Sequence, residues 1–297
     1  MPKDRWTDFT TFAKYQLTSQ DIDPAYPVLR SVFQTEHLDE ELQLWRLILY
    51  VTYYHLGSAE FAWTYHPHPF DERLLPALPT GVERRGMRGN AEAVNKFIQS
   101  VFRNAKPYHS LKGWVDFSLL DAPDPQTGWW AIRSDFEEVW GAGSWSSYKW
   151  ADLLKNVMDY KITANDIGLG GGSVTAGPVP GLALLTGETL EQCATNRELQ
   201  EAWYQRALRA GVPFTGLDQF ETALCDFNSL AKGTYYVGHD IDMMTEKLPP
   251  DSVFWAARRA VFPAELLGEM SGWNGRRMDR LTVYRDTGRV LAPTEAV

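Results

Sequence analysis

Cysteine is scarce: Cys193 and Cys225 are the only two in 297 residues. That is too few for a disulfide framework, so the core must hold the fold, and a reducing cytoplasm is the expected compartment. Long hydrophobic runs are missing too. The most apolar stretch, LILYVTYYHLG at 47–57, falls well short of the roughly 20 residues that span a bilayer. The first residues, MPKDRWTDFT, show no apolar signal region, so no membrane partner is expected. Basic excess is absent: a net charge of −9 excludes a chain coated in cationic surface for indiscriminate nucleic-acid binding and leaves only local basic patches. There is no internal repeat, and GLGGGS at 168–173 is the sole low-complexity segment.

What the chain does have is apolar and aromatic mass. At 44% hydrophobic and 13% aromatic it can bury the core of one large domain, with room for two lobes. Helical periodicity dominates and strand signals are few, so the expected fold class is mainly α. Residues 39–57 are apolar on nearly every face and predict a central buried helix. NAEAVNKFIQSVFRNAK (90–106) opens on an Asn cap and repeats apolar residues at Val94, Phe97, Ile98, Val101 and Phe102. Capping boxes are read at Ser134 to Glu137 and at Thr195 to Glu198. Further helices are expected at 217–231 and at 251–262, the latter capped by Asp251 and stopped by Pro263. The proline-rich joints at 65–80 and 122–128 read as loops.

The most informative stretch is EEVWGAGSWSSYKWADLLKNV, 137–157. A helix over 134–140 gives way at Gly141-Ala142-Gly143 to a second helix that starts near Ser144 or Ser146 and runs to Met158. In such a turn the glycines allow close backbone approach, and the amides that open the second helix can receive a phosphate. A plain compact corner between helices fits the same residues.

VWGAGSWSSYKWA resembles the helix-hairpin-helix element of the helical DNA glycosylases, in which a catalytic aspartate follows downstream; Asp166 lies 21 residues after Trp145. With GVERRGMRG (81–89), YVTYYHLGSAEFAW (50–63) and LCDFNSLAKGTYYVGHDIDMM (224–244), the resemblance over roughly 40–245 narrows. It points to the bacteriophage amino acid:DNA transferases, also called α-glutamyl/putrescinyl thymine pyrophosphorylases. It implies a single helical catalytic domain over 1–297, glycosylase-like, with a hairpin element at 134–158 and a cleft between two helical lobes. The implied location is cytoplasmic, in the host cell for a viral chain. The implied partners are double-stranded DNA carrying a modified thymine and a free amino acid. The implied reaction is displacement of pyrophosphate from a pyrophosphorylated 5-hydroxymethyluracil by the amine of glycine or another small donor.

That chemistry directs the choice of residues. Departing pyrophosphate needs cations, and the densest cluster is Arg84, Arg85 and Arg88, whose forked guanidinium groups bind phosphoryl oxygens bidentately; a solvated loop is the alternative. The spacing from Gly81 is not that of a P-loop, because Met87 and Arg88 stand where Lys and Ser or Thr would be needed. Asp166 is the candidate for proton abstraction or cation stabilisation, or else a turn cap. His239 and Asp240 are candidates for holding the amine, Gly141, Gly143, Trp145 and Lys149 for contacting DNA, and Tyr54, His55 and Tyr236 for walling a pocket that receives an extruded base. Each has a plainer reading: a core histidine for His55, a solvent-facing lysine for Lys149, core aromatics for the tyrosines. No metal ligand set is assigned, and HPHP at 66–69 reads as a loop. No cofactor is assigned, and Mg2+ could accompany pyrophosphate. Ser144 or Trp145 stands where a strand-cutting glycosylase carries its lysine, which speaks against a lyase. A glycosylase that excises a modified base, and a non-catalytic hairpin protein, remain as other classes.

Overall fold

The computed structural model describes residues 5–167, 177–245, 248–262, 286–287 and 289–290. Among these every regular element is helical. Helix α1 (Arg5–Ser19) opens the chain, followed by α2 (Ala25–Thr35), α3 (Glu40–Tyr53), α4 (Leu56–Tyr65), a 3-10 helix at Val82–Met87 and α5 (Ala91–Ala105). Next come α6 (Leu111–Leu119), α7 (Pro125–Glu137) and α8 (Ser144–Asn156). The remainder comprises α9 (Pro178–Thr186), α10 (Leu190–Thr195), α11 (Arg197–Arg209), α12 (Leu217–Ala231), α13 (His239–Thr245) and α14 (Phe254–Val261). The chain divides into two compact units, one drawn from residues 25–163 and 244–257, the other from 1–24, 164–243 and 258–297.

In the 25–163 unit, α3 is the central helix that its composition predicts. Leu44, Trp45, Leu47, Ile48, Leu49, Val51 and Tyr53 are all sealed from solvent, and a fully buried side chain of this size contributes roughly 1.5–3 kcal/mol. The helix is shorter than the 39–57 expected. Tyr54 takes a left-handed conformation (φ 46°, ψ 44°) and ends it, and His55 then caps α4, its Nδ1 accepting from the Ser58 amide at 3.1 Å. Helices α7 and α8 pack through Phe136 on Trp150 and Trp129 on Tyr148, both pairs with centroids 5.2 Å apart.

Several expected boundaries move. Helix α7 begins at Pro125, not at a Ser134 box: the Asp124 carboxylate accepts from the amides of Gln126 and Thr127, and Pro125 takes the first-turn position where a missing N–H does no harm. The joint at 122–128 is therefore a helix start, and Ser134 sits inside the helix. The Thr195 box fails likewise. Thr195 ends α10, whose own box pairs Thr189 with Gln192, and Asn196 caps α11 by accepting from Leu199 N. Helix α14 starts at Phe254 behind Ser252 Oγ, not behind Asp251; Pro263 lies outside the described residues. The segments 91–105 and 217–231 form as expected.

The other unit is centred on α1, α9 and α12. Phe9 stands between Phe220 and Phe227, edge-on to each at 5.8 and 5.4 Å, and Phe12 meets Tyr235 edge-on at 5.7 Å. Gly181 lets α9 touch the backbone of α12: a Cβ there would come within 2.1 Å of the Leu224 carbonyl oxygen.

Candidate functional site

Two groups of polar side chains stand out, one in each unit. The first surrounds the turn between α7 and α8. Gly141 has φ +78°, a left-handed conformation that excludes a side chain at little cost only for glycine. Gly143 is different: its φ is −110° and a Cβ would meet nothing within 4 Å. Neither strain nor packing demands a glycine there, so its bareness simply keeps the outer side of the turn open. Gly143 caps α8 with no side-chain hydrogen bond, leaving the amides that open the helix without a side-chain acceptor. Both glycines are exposed and Trp145 is half-buried.

Behind this turn lies Arg84. Instead of a loop with three converging arginines, residues 82–87 form a 3-10 helix kinked at Arg84, so Arg84 points inward while Arg85 and Arg88 are exposed. Arg84 is 5% exposed. Its Nε donates to the Thr52 carbonyl at 3.2 Å, its Nη1 to Ser146 Oγ at 2.5 Å, and its guanidinium lies 4.9 Å from the Phe97 ring centroid. Nη2 has no partner. Burial pushes the pKa down to about 10, so the group is still a cation at neutral pH, and among the described residues no carboxylate pairs with it. Gly81 permits the arrangement, since a Cβ there would sit 2.7 Å from the Tyr54 carbonyl oxygen.

Tyr54 and Trp145, expected as pocket wall and DNA contact, meet edge-on at 4.7 Å. His55 is the α4 cap described above and is not a core histidine. Lys149 neither faces solvent nor reaches toward a phosphate: it is 8% exposed, 3.1 Å from Asp152 and 5.6 Å from the Tyr26 ring. Its charge is already countered inside the unit.

The second group lies in the 164–243 unit, and sequence reasoning found only part of it. His239 Nδ1 is 2.8 Å from Asp240 Oδ1, with its ring 4.8 Å from Tyr235 and 5.2 Å from Tyr236. Burial alone would lower the imidazolium pKa, but the hydrogen bond to Asp240 and the charges of Asp240, Asp21 and Asp242 outweigh it and the net shift is upward. Tyr236 is buried and donates to Asp242 Oδ2 at 2.7 Å, so its hydroxyl is engaged and does not line an open pocket. Asp21, which nothing local in its sequence marks, is fully buried at the centre. It accepts from Tyr235 Oη at 2.9 Å and from the amides of Gly238, Asp240 and Ile241 at 2.7–3.1 Å. Burial, followed by the Asp240 charge, raises its pKa to about 7. Asp226, held by Gln16 Nε2 at 2.6 Å, is raised well above the usual carboxylate range by burial and then by Asp240.

Asp166 belongs to this unit too. It follows an irregular segment after Tyr160, is 6% exposed, and lies 3.6 Å from Arg197 Nη2. The neighbouring Ile167 amide donates to Gln200 Oε1 at 3.3 Å. The glycine run at 168–173 lies outside the described residues. Among the described residues no group of three or more His, Cys, Asp or Glu has the geometry to hold a metal ion, and no helix is long and apolar enough to cross a membrane.

The family model of amino acid:DNA transferases matches residues 17–236 of this chain. The chain belongs to the amino acid:DNA transferase family. No curated protein matches it. The reaction class of this transferase is therefore transfer of an amino acid to DNA, and its substrates are DNA and an amino acid.

Proposed function

We propose that this transferase hypermodifies a DNA base. The amine of a small amino acid such as glycine attacks the 5-methylene carbon of a pyrophosphorylated 5-hydroxymethyluracil. A C–N bond forms, the bond from that carbon to the pyrophosphate oxygen breaks, and the ammonium proton passes to a carboxylate. The observation that carries this reading is the corner at α8, where an aromatic pair, an uncapped helix start and an uncompensated cation adjoin. The turn acts as a helix-hairpin-helix contact to the DNA backbone, with Gly141 shaping it and Gly143 keeping it open. Trp145 and Tyr54 form an aromatic wall for the extruded pyrimidine.

Arg85 and Arg88 stabilise charge on the departing pyrophosphate. Arg84, sealed behind them, is a positioning residue: it fixes Ser146 and adds a positive field of low screening. For the amine donor, the His239–Asp240 pair sets an imidazole 2.8 Å from a carboxyl group, polar groups suited to the two ends of an amino acid. Asp166 is the carboxylate assigned to the ammonium proton.

The test is incubation with duplex bearing the pyrophosphorylated base and isotopically labelled amino acids, followed by digestion to nucleosides and mass spectrometry. The expected product carries the amino acid on an intact nucleoside, with one pyrophosphate released per transfer. Free base and abasic sites would assign the chain to glycosylases instead. Unchanged nucleosides with retained DNA affinity would make it a binding protein.

A further inference from the structure

The cations of the 25–163 unit fall into two sets. Some find carboxylates, as expected in a chain of net charge −9: Arg30 with Asp159, Arg46 with Glu36, Arg73 with Asp71, Lys112 with Asp116, Lys149 with Asp152. Lys96, Arg103 and Lys106 do not. They are exposed and, among the described residues, none has an ion-pair partner, although Glu92 lies one turn before Lys96. Lys96 and Arg103 lie on α5 and Lys106 caps its end in a helical conformation, so the spacing i, i+7 and i+10, with Gln99 between, places all four on one face. Ten residues at about 1.5 Å rise set the outer two roughly 15 Å apart along the helix, about the axial length of four or five base pairs.

This ridge runs to the α7–α8 turn. The Trp140 amide donates to Ser100 Oγ at 2.8 Å, the Lys96 ammonium sits 4.1 Å from the Trp140 ring centroid, and Met87 packs against Gly141. Trp140 itself is 39% exposed. The far end, Gln99, Arg103 and Lys106, borders a cavity of about 630 Å³ beside Ile98 and Phe102. An acidic chain that leaves three cations unpaired on one helical face, continuous with an open turn, has a surface suited to a polyanion.

We propose that Lys96, Arg103 and Lys106 form a second DNA-contact surface, which follows the phosphate backbone of the duplex flanking the target base. The inference rests on the DNA-modifying reading, but it concerns affinity and register and not chemistry. These side chains position the duplex and carry no sequence information.

The experiment is a titration of unmodified duplex against salt, comparing the parent with the triple variant Lys96→Gln, Arg103→Gln, Lys106→Gln. Each lost phosphate contact should reduce the slope of log affinity against log salt by about 0.9, so the triple variant should lose between two and three units. Turnover at saturating modified DNA should be unchanged. A control variant, Lys112→Gln, removes an exposed but paired charge on α6 and should leave the slope as it is. A parental slope in the triple variant overturns the proposal. So does an equal loss in the control, which would make the effect one of net charge. A parent that fails to bind duplex at all defeats the DNA reading as well, whereas a parent that binds with the expected slope change but transfers nothing defeats only the chemistry.

Discussion

The Trp145 ring meets the Tyr54 ring at 90° with centroids 4.7 Å apart, tying the first turn of α8 to the left-handed end of α3. A left-handed conformation costs a non-glycine residue about 1–2 kcal/mol, so Tyr54 holds it only because its surroundings impose it. Its ring also lies 5.2 Å from Tyr50, and its carbonyl is approached by Gly81.

Strain and ring can be separated. Tyr54→Ala removes the ring and keeps the backbone penalty, whereas Tyr54→Gly removes both. The glycine variant should therefore be the more stable by roughly 1 kcal/mol in chemical denaturation. Transfer should fall equally in the two, because both lack the ring proposed to wall the extruded base. An alanine variant as stable as the glycine one would mean that Tyr54 is not strained.

Arg84 carries a similar separation of charge from volume. Arg84→Met keeps much of the side chain and removes an uncompensated buried cation, a change that is often neutral or stabilising. Its melting temperature should stay near the parent's, while transfer falls because Ser146 loses the cation that fixes it. Arg84→Ala should be destabilised in addition, by about 2 kcal/mol or more, through the cavity left beside Phe97. Arg85→Ala and Arg88→Ala, on exposed sites, should melt like the parent and lose turnover far more than affinity for unmodified duplex. Full turnover in Arg84→Met would restrict the guanidinium to holding Thr52 and Ser146.

How much of this was legible depends on the range of the interactions. Residues 217–231 and 91–105 declare themselves by local period and cap, and α3 by its apolar composition, because those signals act within a few turns. Helix α7 was misplaced because Asp124-Pro125 lies in a proline-rich stretch that reads as a loop, although Asp before Pro is also a helix-opening pair. The inward turn of Arg84 depends on Thr52 and Ser146, distant in sequence, and no arginine cluster announces which member is buried. Asp21 is the extreme case: its partners are Tyr235 and the amides of 238–241, and nothing near residue 21 indicates them. His239 and Asp240 were legible as adjacent polar residues, but the buried carboxylates beneath them were not.

Those buried carboxylates make stability depend on pH in an unusual direction. Asp21 titrates near 7 in the fold and near 4 in the unfolded chain, and Asp226 is shifted the same way. Between these values the folded form binds the proton more tightly, so stability falls as pH rises through the window. Asp226→Asn keeps an acceptor for Gln16 Nε2 and brings an amide donor to a neighbourhood where Gln16 Oε1 has none. Its melting temperature should exceed the parent's at pH 8, a gain of 1 kcal/mol being worth roughly 2–4 °C in a protein of this size. The gap should narrow steadily as pH falls, because protonation removes the charge that burial penalises in the parent. A variant less stable than the parent at pH 8 would show that Asp226 is needed as an anion.

Asp166 separates base catalysis from electrostatic support. A free amino acid is mostly ammonium at neutral pH, and an ammonium group has no lone pair with which to attack the methylene carbon. If Asp166 takes that proton, Asp166→Asn should keep duplex affinity and lose transfer at neutral pH, since the amide preserves the shape without the basicity. Raising the pH should then restore part of the rate, because a growing fraction of the amine arrives already deprotonated. The contact to Arg197 is a possible complication, but that arginine is 60% exposed and its ion pair is 3.6 Å long, so losing it should change stability by no more than about 1 kcal/mol. The measurement is the pH–rate profile of parent and variant on the same pyrophosphorylated duplex, read by the amino-acylated nucleoside formed. Full activity of the variant at neutral pH would relegate Asp166 to its pairing with Arg197. Loss without recovery at high pH would favour stabilisation of a cationic methylene over proton abstraction, because a charge that the substrate carbon needs is not supplied by a neutral amine.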